Sequence, residues 1–156
     1  MAITKRYNAT MRNLEYRLRK FRDILPDTLM DIIWANRDLI VSTIAETQLY
    51  EQGINGRGQE IMSYAPYRPS TIKRKIKKGQ PTNRVTLRDT GKFHGSMFLV
   101  VDEDGFYITS DDEKTIYLIK KYGDEIFRLT NENFNTLLRD VIRKELTKKL
   151  RETIQL

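Results

Sequence analysis

Three groups of residues in this chain are of types that do chemistry. His94 stands two residues before Ser96, a base beside a hydroxyl, as where an imidazole activates a serine nucleophile. No glycine-flanked elbow surrounds Ser96, and closeness in sequence does not make a triad, so His94 reads as a polar packing residue at the foot of a strand. Asp102, Asp104 and Asp112-Glu113-Lys114 put carboxylates and a lysine beside strand-like sequence. Such a set can hold magnesium and stabilise developing negative charge, as in metal-dependent nucleases. The acids at 102–104 equally suit a solvated turn, and Asp102, Glu103 and Asp104 read first as an acidic interface patch. The third group is basic: Lys73, Arg74, Lys75, Lys77 and Lys78. On a helix, Lys73/Lys77 and Arg74/Lys78 are like-charged pairs four apart, each costing about 0.2–0.5 kcal/mol, which an acidic partner would relieve. The alternative is a solvated face screened by salt.

Composition narrows the chemistry further. The chain has no cysteine and one histidine, which excludes disulfides and thiolate ligands and argues against zinc. No catalytic, cofactor or metal residue is assigned, and no enzymatic activity is expected. The net charge of +7 favours an acidic neighbour. Its excess lies in Lys5 to Arg22, Arg68 to Lys92 and Arg139 to Arg151, against an acidic run from Asp102 to Glu113. Neither zinc-finger spacing nor an aromatic RNA-binding motif is present, while a helix-turn-helix stays open. No run of about 18 apolar residues occurs, and the first residues lead into polar sequence, so neither a membrane span nor a signal peptide is expected. With 39% hydrophobic residues in 156, the chain can build a core, and its length fits one domain.

The elements that must position these residues follow from periodicity. Met11, Leu14, Leu18, Phe21 and Leu25 form one stripe of a helix that Pro26 ends or kinks. A second helix, capped by Asp27 or Thr28, runs to about Gln52 with a wide apolar face that includes Trp34 as core. Gly53, Asn55, Gly56 and Gly58 predict a mobile or partner-ordered loop. Pro69 and Gly79 bracket a short basic helix in which Ile72 and Ile76 anchor one side and the five cations lie mostly on the other. Residues 97–101 and 106–109 read as a β-hairpin, 114–122 as a short helix closed by Gly123, and 125–129 as an extended piece. Thr130 or Asn131 caps a long helix whose inner face is Phe134, Leu137, Leu138, Val141, Ile142, Leu146, Leu150 and Ile154.

The segment from Tyr67 to Gly123 resembles the neck or tail-completion proteins of tailed bacteriophages, a family that includes the Mu-like virion morphogenesis proteins. The matching residues are Tyr67, Thr71, Lys73 to Lys75, Leu87-Arg88-Asp89-Thr90-Gly91, Phe93, Ser96-Met97, the Gly105 hairpin, Tyr117 and Tyr122-Gly123. Tyr67 stands where tryptophan is frequent in the family, and the acid-rich hairpin departs from its pattern. The resemblance implies a structural virion protein, made in the host cytoplasm, that forms a homo-oligomeric ring between portal or connector and tail proteins. It carries over no catalytic residues.

The expected fold is therefore α+β: two N-terminal helices, a small antiparallel sheet with a hairpin, a short basic helix and a long amphipathic C-terminal helix. The expected organisation is a single domain, residues 1–156, with a helical part to 52, a mobile loop over 53–68, the basic helix and hairpin over 69–129, and the C-terminal helix from 130. The expected function is a head-tail connector, neck or tail-completion ring that has no membrane contact, with DNA in the channel as a candidate further partner. A basic DNA-binding protein is the alternative, followed by a metal-dependent phage nuclease.

Overall fold

The computed structural model describes residues 2–102 and 105–154, with side chains from residue 11 onward. The fold is α+β: helices, one two-stranded antiparallel sheet and a long C-terminal helical stretch. The chain divides into two compact units, residues 36–136 and the two chain ends, 1–35 with 137–156. Helices far apart in sequence pair in one unit, and periodicity within each helix carries no sign of that pairing.

In the unit built from the chain ends, α1 (Ala2–Ala35) continues past Pro26 rather than ending there. Proline removes one helical hydrogen bond and crowds the preceding turn. Thr28 adds a bond from its hydroxyl to the Ile24 carbonyl at 2.8 Å. The predicted break falls instead at Asn36, with φ −103° and ψ 14°. The C-terminal stretch is α7 (Asn131–Leu137), a π-helical turn (Leu138–Ile142) and α8 (Arg143–Ile154). Its last two parts pack on α1, and Arg17 Nη1 donates to the Ile154 carbonyl at 2.9 Å. Leu137, Ile142 and Ile154 are buried, whereas Leu138, predicted on the same face, is exposed. A π turn closes its bonds one residue later than an α turn, which shifts the phase of the stripe at that point.

The 36–136 unit opens with α2 (Arg37–Ser42), which continues as a π-helical segment, Thr43–Gln52. Ile40, Ile44, Ala45 and Leu49 are buried along it, while Leu39 is exposed, and so is Trp34 in α1, against its expected core role. Gln48, 1% exposed, is the polar exception. Its Nε2 donates to the Arg128 carbonyl, and its Oε1 accepts from Thr130 N and Asn133 Nδ2, all at 2.9 Å. These bonds fix the start of α7, where Thr130 Oγ1 caps Asn133 N as the sequence predicts.

The segment after Gly53 is bound into the unit rather than open. Gly53 ends the helix at φ 67°, Asn55 is buried, and Asn55 Oδ1 accepts from the backbone of Arg57 and Gln59. Gly56 N donates to the Glu125 carbonyl at 2.8 Å. An added Cβ on Gly56 would lie 2.5 Å from Arg128 Cβ, so this glycine serves close approach. The three glycines read as freedom in the sequence; two of them permit packing and a left-handed helix end.

After α3 (Ile61–Tyr64) comes α4 (Pro69–Lys77), with Pro69 in its first turn and Gly79 at φ 64° beyond its end, as predicted. Then α5 (Lys92–Gly95) leads into β1 (Met97–Asp102), which pairs with β2 (Gly105–Ser110) in the register Met97↔Ser110. A lone hairpin is marginal in water. Here α2 packs on β1, and a 3₁₀ turn (Asp124–Phe127), predicted as extended, packs on β2. In chain order, α6 (Thr115–Tyr122), closed by Gly123 at φ 85°, comes between β2 and this turn. No helix among the described residues is long and apolar enough to cross a membrane.

Candidate functional site

The basic helix α4 lies against the 84–89 stretch, and there the structure departs from the predicted orientation. Lys75 is 4% exposed and Ile76 64% exposed, the reverse of their expected places, while Ile72 is half-buried and the other four cations are exposed. Lys75 Nζ donates to the Arg88 carbonyl (2.8 Å), Gln80 Oε1 (3.1 Å) and Thr86 Oγ1 (3.2 Å), and lies 5.0 Å from the Tyr67 ring centroid. The physical cause is backbone satisfaction. Residues 84–89 join no strand, so the part-buried Arg88 carbonyl and the buried Thr86 hydroxyl need donors, and an ammonium offers three. Isoleucine can supply none.

Thr86 is the hub of this network. Its N–H donates to Tyr67 Oη at 2.8 Å, and its carbonyl lies 2.9 Å from His94 Nε2. A carbonyl can only accept, so Nε2 carries the proton and Nδ1 is the bare nitrogen, buried without a partner among the described residues. Burial holds the His94 pKa below its ordinary value, opposed by the Thr86 carbonyl bond. Ser96 Oγ bonds instead with Ser110 Oγ at 2.7 Å and the Phe93 carbonyl at 3.2 Å. The histidine and the serine thus serve separate hydrogen-bond sets.

The other predicted site residues scatter. Lys73, Arg74, Lys77 and Lys78 are exposed on α4. Lys78 pairs with Asp89, and that hydrogen bond is the main cause holding the Asp89 carboxyl below its usual range. Asp102 is exposed at the end of β1, opposite Gly105, while Glu103 and Asp104 lie outside the described residues. Asp112 is buried, with Oδ1 accepting from Lys114 N at 2.8 Å as a turn cap. Among the described residues no three His, Cys, Asp or Glu side chains converge as a metal site.

Sequence reasoning missed a cavity of about 290 Å³ in the 36–136 unit, bounded by α4, residues 87–90 and α6. Tyr67, Phe93 and Tyr122 line it with Thr71, Lys75 and Leu87. Leu87 has φ 52°, the left-handed region that costs a non-glycine residue about 1–2 kcal/mol. The residues themselves stood out in the sequence; their convergence on one half-open space has no sequence signal.

Comparison with known proteins returns no match, whether to protein-family models, to curated proteins or to solved structures.

Proposed function

We propose that this chain is a non-enzymatic structural protein of a tailed-bacteriophage particle, a subunit of a homo-oligomeric ring at the portal-tail junction. One observation supports this reading above the others. Many of the residues that carry the resemblance, spread from Tyr67 to Tyr122, border one cavity, among them Tyr67, Thr71, Lys75, Leu87, Phe93 and Tyr117, while Ser96-Met97 and the Gly105 hairpin lie outside its lining. Scattered weak matches that fall in one physical unit are what a shared domain would produce. In this reading the exposed cations of α4 and the acidic patch beginning at Asp102 are unlike surfaces that meet head to tail around a ring. Portal or connector proteins lie on one side and tail proteins on the other. The test is a mass-spectrometric inventory of purified particles from the phage that encodes the chain. The expected result is its presence at a ring-like copy number; absence from intact particles overturns the proposal.

A second reading, contact with DNA, is favoured by where the charge resides. Residues 1–35 and 137–156 contain thirteen basic and seven acidic residues, a net of +6 out of +7 for the whole chain. Along α8, Arg143, Lys144, Lys148 and Arg151 are all exposed. Binding by such a surface weakens steeply with salt, because neutralised phosphates release counterions. Salt-independent binding, or none at low salt, would count against it.

A further inference from the structure

The cavity beneath α4 has an electrostatic anomaly that the assembly reading does not explain. Buried charges are normally paired. Lys75 is buried, yet its three hydrogen-bond acceptors are all uncharged, and no carboxylate among the described residues is within ion-pair distance. Arg74, Lys75, Arg88, Lys114 and Lys121 all border the space, against two acids, Asp89 and Asp112. Most of these charges are already engaged: Asp89 with Lys78, Arg88 with Glu46 and the Tyr50 ring, and Lys121 with the Tyr122 hydroxyl. Asp112 caps the Lys114 backbone. The side chains of Arg74 and Lys114 feel the charge of Asp89 but make no hydrogen bond or ion pair among the described residues. They are exposed at the rim, while Tyr67, Phe93 and Tyr122 are buried and supply aromatic walls.

A second, independent feature is the backbone. Leu87 holds a left-handed conformation on the wall of the same cavity. Strain of this kind persists where the surroundings over-determine it, and it gathers at binding sites. At about 290 Å³ the space falls near the lower end of ligand pockets, enough for one ring and a short arm.

We propose that this cavity binds a small organic anion, a carboxylate or phosphate carried on an aromatic or compact aliphatic body. The anion is taken by Arg74 and Lys114 at the rim, and the body lies against Tyr67, Phe93 and Tyr122. Lys75, its donors already used, contributes field rather than a direct bond. The site stands whether or not the chain is a ring subunit.

The experiment titrates the isotope-labelled full chain with four probes, followed by amide chemical shifts: phenyl phosphate, 3-phenylpropionate, inorganic phosphate and benzyl alcohol. The expected result is saturable shifts at Leu87, Arg88 and Tyr122 with at least one organic anion, bound at least ~10-fold more tightly than inorganic phosphate or the neutral alcohol. Which of the two binds decides between phosphate and carboxylate as the natural group. Arg74→Gln and Lys114→Gln, both at exposed positions, keep the free protein's melting temperature and each weaken binding several-fold. No saturation by about 10 mM overturns the proposal. So does equal affinity for inorganic phosphate, or binding unchanged in both variants.

Discussion

Lys75 Nζ lies 2.8 Å from the Arg88 carbonyl oxygen, a lysine inside the fold satisfying the backbone of a segment that joins no sheet. This one contact separates Lys75 from its neighbours on α4. Lys75→Glu would set a carboxylate against three oxygen acceptors in a buried place, at a cost of about 3–5 kcal/mol. Lys73→Glu and Lys77→Glu, on the exposed face, are expected to stay within about 0.5 kcal/mol of the parent. Thermal denaturation of the three variants tests this; equal melting temperatures would show that Lys75 is not buried. Charge reversals meant to probe ring pairing should therefore leave Lys75 in place.

His94 makes stability depend on pH. Unfolded, it titrates near 6.5; folded, burial holds it lower. Between those values the unfolded chain binds more protons, so its contribution is complete above about 6.5 and is lost as pH falls toward the folded value. His94→Gln keeps a donor for the Thr86 carbonyl but does not titrate. Melting temperatures from pH 7.5 to pH 5 are expected to fall more steeply for the parent than for the variant. Parallel slopes would place His94 in solvent.

Gly56 has no room for a side chain. A methyl group there meets Arg128 Cβ at 2.5 Å and the Arg128 carbonyl at 2.8 Å, so Gly56→Ala is expected to cost about 1–3 kcal/mol through overpacking. Gly58→Ala meets no atom, although its φ of 75° strains any side chain. In the isolated chain, the Gly56 amide should exchange slowly with solvent because it bonds to the Glu125 carbonyl. Fast exchange would restore the mobile loop that the glycines alone predict.

Ile142 and Leu138 both belong to the predicted stripe, yet only Ile142 is buried. Ile142→Ala is expected to cost about 2–5 kcal/mol, and Leu138→Ala less than about 1. At roughly 2–4 °C per kcal/mol for a chain of this size, calorimetry separates them readily. The reverse order would mean that the π turn is absent and the helix continues in α register.

Local devices were legible from the residues alone. Pro69 and Gly79 bound α4, Thr130 starts α7, Gly123 closes α6, and the β-rich runs pair as a hairpin, because each depends on residues a few positions apart. What the tertiary structure decided lies wherever a distant segment supplies the partner. Lys75 turns inward and Ile76 outward because the Thr86 hydroxyl and the Arg88 carbonyl need donors; Gly56 is packed because Arg128 lies against it. The helix passes Pro26, and Leu138 leaves its stripe at a π turn. The sequence states which residues are apolar, charged or flexible, and with what period. Which of them is buried depends on the polar groups and backbone that another part of the chain brings to the same place.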